Sequence, residues 1–499
     1  VSLTDCGNQP ATAHTQRHRT TTCTMAGTTM RMGCCGNNRA APGPPGAATA
    51  TRPGSATAGQ AQQRAPAAGI DIGSRSHFVA VGQANEDVKE FGVYNEDLKA
   101  IASWLKEHEV ETVAMESTGT YWQALFAVLQ TEGLQVILCN GKFTKNIKGK
   151  KSDVQDCQWI QKLHTLGLLS GSFLPDEATE QLRTYCRHRA NLIDHGADTS
   201  RKMQKYLRLL NLRLDVVVND ITGLTGLKII DAICKGETNP QLLASLRNGN
   251  CKKSEEEIAK ALQSNGRTDY LFTLKHEYQM YINVQASITA CDVQIDILLN
   301  QQITEDDEKK QHYIDKKIYK KVNKNTPKKI DINLLSYQYF GGVDLLAIEG
   351  VSYSTVLTFM SEVGNGIHKF ETAKQFANWL RLSPNNKISG GKVLSSKTPK
   401  GSSRLKIALR NAANAIGNLK DTALSNFFNR ISHRKGRVTA ISATARKLAV
   451  IMWNMIVKKT PYVPQTEYQF LDQKRKKITA MKKLITKFDI STNDLNLQL

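Results

Sequence analysis

The chain is short of acid, has no long apolar run and spaces no two of its cysteines as CxxC. It carries 45 Asp+Glu against 67 Lys+Arg over 499 residues, a net charge of +22. An excess of this size usually serves a polyanion rather than a fold, which puts nucleic acid first among possible partners. A merely solvated basic surface and an anionic membrane surface are the other readings. No stretch of roughly 18 apolar residues occurs, so no membrane-spanning helix is expected. The nearest approach, Ala440 to Val457, is broken by Arg446 and Lys447. The N-terminus lacks a continuous apolar stretch, so no secretory signal is expected. The ten cysteines contain no CxxC pair, and the adjacent Cys34 and Cys35 fall in an atypical terminal stretch. Neither a zinc site nor a disulfide framework follows, and reduced thiols in a cytoplasmic, nucleoid-associated setting are expected. His188 and His195 have no zinc spacing and read as solvated.

Residues 1–67 are rich in Thr, Ala, Gly and Pro, hold no lysine, and have Asp5 as their only acid. This composition cannot bury a core and reads as a disordered tail. From Ala68 onward the pattern is that of an α/β domain. Strands are expected at Ala67–Ile72, His77–Val81, Phe91–Tyr94, Val110–Glu116 and Val136–Cys139. Helices are expected from an Asn95 cap to about Glu107, over Tyr121–Thr131, and from a Ser152 cap to about Leu168. Three consecutive strands followed by alternating helices and strands imply a mixed sheet over 68–181.

Residues 182–335 read as an extended helical insert. Ser254 to Glu257 forms a capping box. Tyr281, Val284, Ile288, Cys291, Ile295 and Leu298 repeat as in a coiled-coil seam, facing either this chain's own domain or a partner helix. Cys291 belongs to that packing. Lys309 to Lys329 reads as a basic linker or nucleic-acid-facing loop. A mostly helical unit follows over 336–465, with helices ending near Val363 and Leu382, a Gly/Ser/Lys loop from Asn385 to Ser403, and helices at about 403–418, 422–432 and 437–458. The basic tail, 466–499, includes Lys474 to Lys477 and reads as a phosphate clamp, with a merely solvated tail as the alternative.

Four acids carry the chemistry: Asp71 inside Gly-Ile-Asp-Ile-Gly, Glu116 at the end of Thr-Val-Ala-Met-Glu, and Asp153 and Asp156 at a helix start. Cutting a phosphodiester needs charge neutralisation on both the attacking and leaving oxygens, and hard oxygen ligands suit Mg²⁺ or Mn²⁺. Strand alternation sets Asp71 apart from Ile70 and Ile72. Glu116 stands at a carboxyl strand end, where open α/β sheets keep their sites. Asp153 and Asp156, three apart, share one helix face. Singly, each acid is as readily a cap or a surface charge; Asp153 is favoured at a helix start by the dipole alone. Tyr121 and Trp122 are expected to pack the second helix on the sheet.

Three motifs, Gly-Ile-Asp-Ile-Gly, Met-Glu-Ser-Thr-Gly-Thr-Tyr-Trp (115–122) and Lys-Ser-Asp-Val-Gln-Asp (151–156), resemble the insertion-sequence transposases of the DEDD type with a RuvC-like, ribonuclease-H-like N-terminal domain. Ile348 to Val351, Phe376 to Pro384, Ile388 to Gly390 and Lys400 to Leu405 resemble the same family's second domain. The resemblance spans about 69–460 and implies a recombinase that cuts and rejoins DNA of its own element. It implies divalent metal held by Asp71, Glu116, Asp153 and Asp156, and a serine nucleophile at Ser389. Lys387, Lys392, Lys397 and Lys400 would then face phosphate. Ser395, Ser396, Ser402 and Ser403 are rival serines. The resemblance further implies a noncoding bridge RNA as guide, and a homo-oligomer, dimer or tetramer, whose subunits share active sites. Two other readings stay open: a RuvC-like structure-specific endonuclease, and an inactive nucleic-acid-binding relic.

Overall fold

The computed structural model describes residues 66–144, 152–303, 322–327, 330–401, 403–464, 477–482, 484–486 and 488. The expected N-terminal tail, most of the basic stretch Lys309 to Lys329 and the cluster Lys474 to Lys476 lie outside the described residues. The chain divides into two compact units between Ser172 and Phe173.

The first unit is built on a five-stranded sheet in the order β3-β2-β1-β4-β5. The strands are β1 (Ala67–Ile72), β2 (His77–Ala80), β3 (Val88–Phe91), β4 (Thr112–Glu116) and β5 (Gln135–Cys139). β1, β2 and β3 run antiparallel as a meander, whereas β1, β4 and β5 are parallel. This is the mixed sheet of a RuvC-like, ribonuclease-H-like domain. Parallel strands need crossover helices, and these are α1 (Asn95–Glu107) and α2 (Trp122–Thr131).

The third strand ends before the expected Gly92-Val93-Tyr94 rather than running through it. The reason is local: the Asp97 carboxylate accepts from the Tyr94 N–H at 3.0 Å, which commits this stretch to the entry of α1. Tyr94, not Asn95, is the cap residue. A short helix α3 (Gly141–Thr144) follows β5, and then α4 (Asp153–Thr165), whose Ser152 Oγ accepts from the Gln155 N–H as expected.

The second unit has two cores. A pair of long helices, α5 (Glu177–Leu209) and α10 (Thr268–Gln301), runs through both. Leu182 of α5 packs with Ile295 and Leu299 of α10 in one core, and Met203 and Leu207 pack with Leu274 and Tyr281 in the other. The helices are therefore antiparallel. Gly196 lets them close mid-way, since a Cβ there would touch Gln285 and Val284 at 3.4–3.5 Å. Most of the apolar repeat on α10 thus faces α5 of the same chain: Tyr281, Cys291 and Ile295 are buried, while Val284, Ile288 and Leu298 are half-buried.

Between Leu209 and Thr268, four short helices, α6 (Leu214–Val217), α7 (Leu224–Lys235), α8 (Pro240–Ser245) and α9 (Glu255–Ala261), close a small head around Ile229, Ile230, Leu243 and Ile258. The capping box on α9 is formed: Glu257 N–H donates to Ser254 Oγ at 3.2 Å, and Ser254 N–H to Glu257 Oε2 at 3.1 Å. The other core gathers the helices Tyr353–Glu362, Ala373–Trp379, Arg404–Ile416, Ala423–Lys435 and Arg437–Lys458 around Phe340, Phe359, Phe376 and Phe428. Among the described residues one helix, Arg437–Lys458, is long and apolar enough to cross a membrane. Leu448, Met452 and Ile456 of that helix are buried in this core.

Candidate active site

The four acids belong to the first unit, and the elements that carry them come together at one end of its sheet. Ile70 pairs with Met115 across the parallel β1–β4 ladder, so Asp71 and Glu116 come next on neighbouring strands. Gly69 lies under α4, where a Cβ would run into the backbone of Cys157 and Gln161. Asp71, two residues on, shares that sheet face and so points toward the start of α4. The first turn of α4 carries Asp153 and Asp156.

Two buried thiols report the same convergence. Burial, with the charges of Asp71 and Asp156 adding to it, pushes the Cys157 thiol up to about 12. One strand carboxylate, Asp71, and one helix-start carboxylate, Asp156, thus act on one sulfur. Burial, helped by Glu116, likewise pushes Cys139 up to about 11, and Cys139 sits opposite Glu116 on β5. Glu116 itself is held from the side: Thr144 Oγ1 donates to its Oε2 at 2.5 Å, and Gly141 leaves room for its Oε1, which a Cβ at that position would strike.

The convergence is of backbone positions more than of side-chain tips. Among the described residues, no three His, Cys, Asp or Glu side chains lie close enough together to hold a metal ion. In kind the donors fit a hard divalent cation, being all carboxylate oxygens. Asp153 is exposed, while Asp71, Glu116 and Asp156 are partly so, and rotation of these side chains would be needed to bring them to one point. Gly69 and Thr144 escaped sequence reasoning. A glycine inside a strand was the available signal for the first, because it marks a close approach; Thr144 left no signal. Of the two aromatics after Glu116, Trp122 packs edge-on against Phe126 at 5.5 Å, but Tyr121 is 51 % exposed and does not pack α2 as expected.

Ser389 belongs to the second unit. The expected loop there is a β-hairpin, β6 (Lys387–Ser389) and β7 (Lys392–Ser395). Gly390 and Gly391 make its turn with φ of 53° and 75°. Positive φ at both central residues is the hairpin-favouring type I′ geometry, and two glycines adopt it without strain. Ser389 pairs with Lys392 directly across the turn.

The base of the hairpin is fastened. Asn385 N–H donates to Lys397 O at 3.0 Å, Arg381 Nη1 to Lys400 O at 2.7 Å, and Lys406 Nζ to Arg381 O at 3.1 Å. Lys387, Lys392, Lys397 and Lys400 are all exposed. Two rival serines are engaged in backbone structure: Ser403 caps the helix Arg404–Ile416 by accepting from Lys406 N–H, and Ser395 Oγ accepts from Lys397 N–H. Ser402 lies outside the described residues.

A transposase model of the DEDD IS110 type matches residues 68–211, and the model described as Transposase IS116/IS110/IS902 family matches residues 344–428. The chain carries IS110-family transposase domains. The first transposase domain holds the four acids and the second holds Ser389. The chain is also similar to a protein of Pseudomonas aeruginosa described as a "Probable family 20 transposase", with 29 % identity over 124 residues. That match covers 24 % of this chain and 36 % of the relative, about a third of its length.

Proposed function

We propose that this chain is a metal-dependent DNA transposase that cuts and rejoins the DNA of its own insertion element. The observation that carries the reading is the adjacency of Asp71 and Glu116 on parallel strands, under a helix that opens with Asp153 and Asp156. Two IS110-family transposase domains in the expected order support it. Asp71, Glu116, Asp153 and Asp156 would hold Mg²⁺ or Mn²⁺, which when bound neutralises charge developing at a phosphate.

Ser389 is the nucleophile in this reading. Its Oγ forms a bond to phosphorus while the bond from phosphorus to the 3′ oxygen breaks. The serine proton leaves by way of solvent, and the departing strand takes up a proton as a 3′-OH. A 5′-phosphoserine link remains and keeps the bond energy for rejoining, so no high-energy cofactor is consumed. Lys392, paired across the turn with Ser389, supplies positive charge beside the phosphate. Lys387, Lys397 and Lys400 extend that charge along the backbone. An element-encoded RNA would supply target choice by base pairing, and the protein would act as a homo-oligomer.

The test is incubation of the full chain with a duplex containing its element end and Mg²⁺, followed by a denaturing gel. Wild type should give a slow protein–DNA band, and Ser389→Ala should give none. Asp71→Asn should cut the rate by at least about a thousandfold, the worth of several kcal/mol of metal-assisted stabilisation. It should also remove the rise in Tm that Mg²⁺ gives the wild type. Full cleavage by Ser389→Ala would replace this reading with a plain endonuclease, and activity retained by Asp71→Asn would end it.

A further inference from the structure

The hairpin β6–β7 carries more than a serine. Ile388 and Val393 form a cross-strand pair and so stand on one face of the ribbon, while Ser389 and Lys392 form the next pair on the opposite face. Ile388 is 62 % exposed, Val393 59 % and Leu394, beside the register shift, 69 %. Apolar pairs of this kind normally lie on a core. Among the described residues this one lies on none, although its base is held by the hydrogen bonds from Asn385, Arg381 and Lys406 described above.

The surrounding charge says what covers it. The 49 residues between Glu371 and Asp421 contain ten Lys and Arg and no acid. A protein partner would need a matching acidic surface with an apolar centre, whereas DNA offers phosphate on both sides of a groove floored by base edges and thymine methyl groups. The B-DNA major groove, about 12 Å wide, admits a two-stranded β-ribbon. The major groove of duplex RNA is too deep and narrow for side chains to read, which disfavours an RNA duplex here.

We propose that the β6–β7 ribbon enters the major groove of the DNA being cut, with the Ser389–Lys392 face on a phosphate and the Ile388–Val393 face against base edges. The ribbon then reads sequence locally, beside the bond that is cut, in addition to any recognition by base pairing. The inference rests on the transposase reading and adds a specificity-determining role for Ile388, Val393 and Leu394.

The test places a photoreactive benzoylphenylalanine at position 393 of the full chain and irradiates it with radiolabelled element-end duplex and any copurifying RNA. The expected product is a protein–DNA adduct that maps to a base within a few nucleotides of the cut site. A protein–protein adduct, a protein–RNA adduct or no adduct would overturn the proposal. As a second measurement, Ile388→Thr with Val393→Thr keeps β-branched residues in the ribbon and should weaken binding to element-end duplex about tenfold relative to random duplex. An unchanged ratio of the two affinities also overturns it. The Ser389-dependent covalent band separates the two failures. If wild type forms that band but position 393 never reaches DNA, only the ribbon inference fails; if no such band forms, the transposase reading fails with it.

Discussion

Lys447 shows how one side chain can record two opposed forces. Its Nζ lies 3.8 Å from the centre of the Phe427 ring, a contact that favours the ammonium. Burial, assisted by the neighbouring Arg430, outweighs that and brings Lys447 down to about 8 from the ordinary 10.5. Between pH 8 and 10.5 the unfolded chain holds a proton here that the folded chain does not, so stability rises with pH across that window. Below pH 8 both states are charged and the folded state bears the full penalty. Lys447→Met should therefore raise the Tm at pH 7 and flatten its climb from pH 8 to 10.5; an unchanged slope would refute this account. Nothing in the residue string announced Lys447, because its penalty arises from burial and from Arg430 on another helix. The four candidate acids were readable for the opposite reason. Asp71, Glu116, Asp153 and Asp156 each sit in a short motif whose element follows from local pattern. Their side-chain spacing was not readable, because it depends on contacts between elements far apart in the chain, such as the Thr144 hydrogen bond to Glu116.

Elements were legible where one residue decides them. Ser152 fixed the start of α4, and the Ser254–Glu257 box fixed α9. They were misread where a side chain reaches back over several residues, as Asp97 does to Tyr94 at the end of β3. The hairpin at 387–395 looked like a loop because Gly, Ser and Lys dominate it. Only its Gly390-Gly391 pair hinted at a two-residue turn. The α5–α10 pairing contains a feature that hydrophobic spacing hides: Arg189 Nε donates to Asp292 Oδ1 at 2.5 Å, with both side chains 8 % exposed. Removing one partner leaves a buried charge uncompensated, which costs about 3–5 kcal/mol. Replacing both with apolar residues of similar size is close to neutral. Asp292→Ala should accordingly lower urea resistance sharply, while Arg189→Met with Asp292→Leu should stay within about 1 kcal/mol of wild type. Equal losses in the two variants would show that the pair does not act as a pair.

At the scale of the whole molecule, the charge of +22 governs how the chain meets its partner. If 6–10 phosphates are contacted, affinity for duplex DNA should fall by about 10³–10⁵ between 50 and 200 mM salt, read by fluorescence anisotropy. Lys392→Ala should reduce the slope of log K against log salt by about one. An affinity indifferent to salt would remove the electrostatic account. The two-unit layout also bounds what sequence pattern could reach: a motif placed Asp71 on its strand, whereas Ser389 was expected in a loop and lies on a hairpin strand. The small head at the end of α5 and α10 has a further consequence. Its core of Ile229, Ile230, Leu243 and Ile258 rests on Met203 and Leu207 of α5 and on Leu274 and Tyr281 of α10, and its four short helices join the long pair at Leu209 and Thr268. A change confined to α6–α9 therefore reaches the long helices only where that footing is disturbed, so loops there can lengthen or shorten while Ser389 and the four carboxylates keep their own elements.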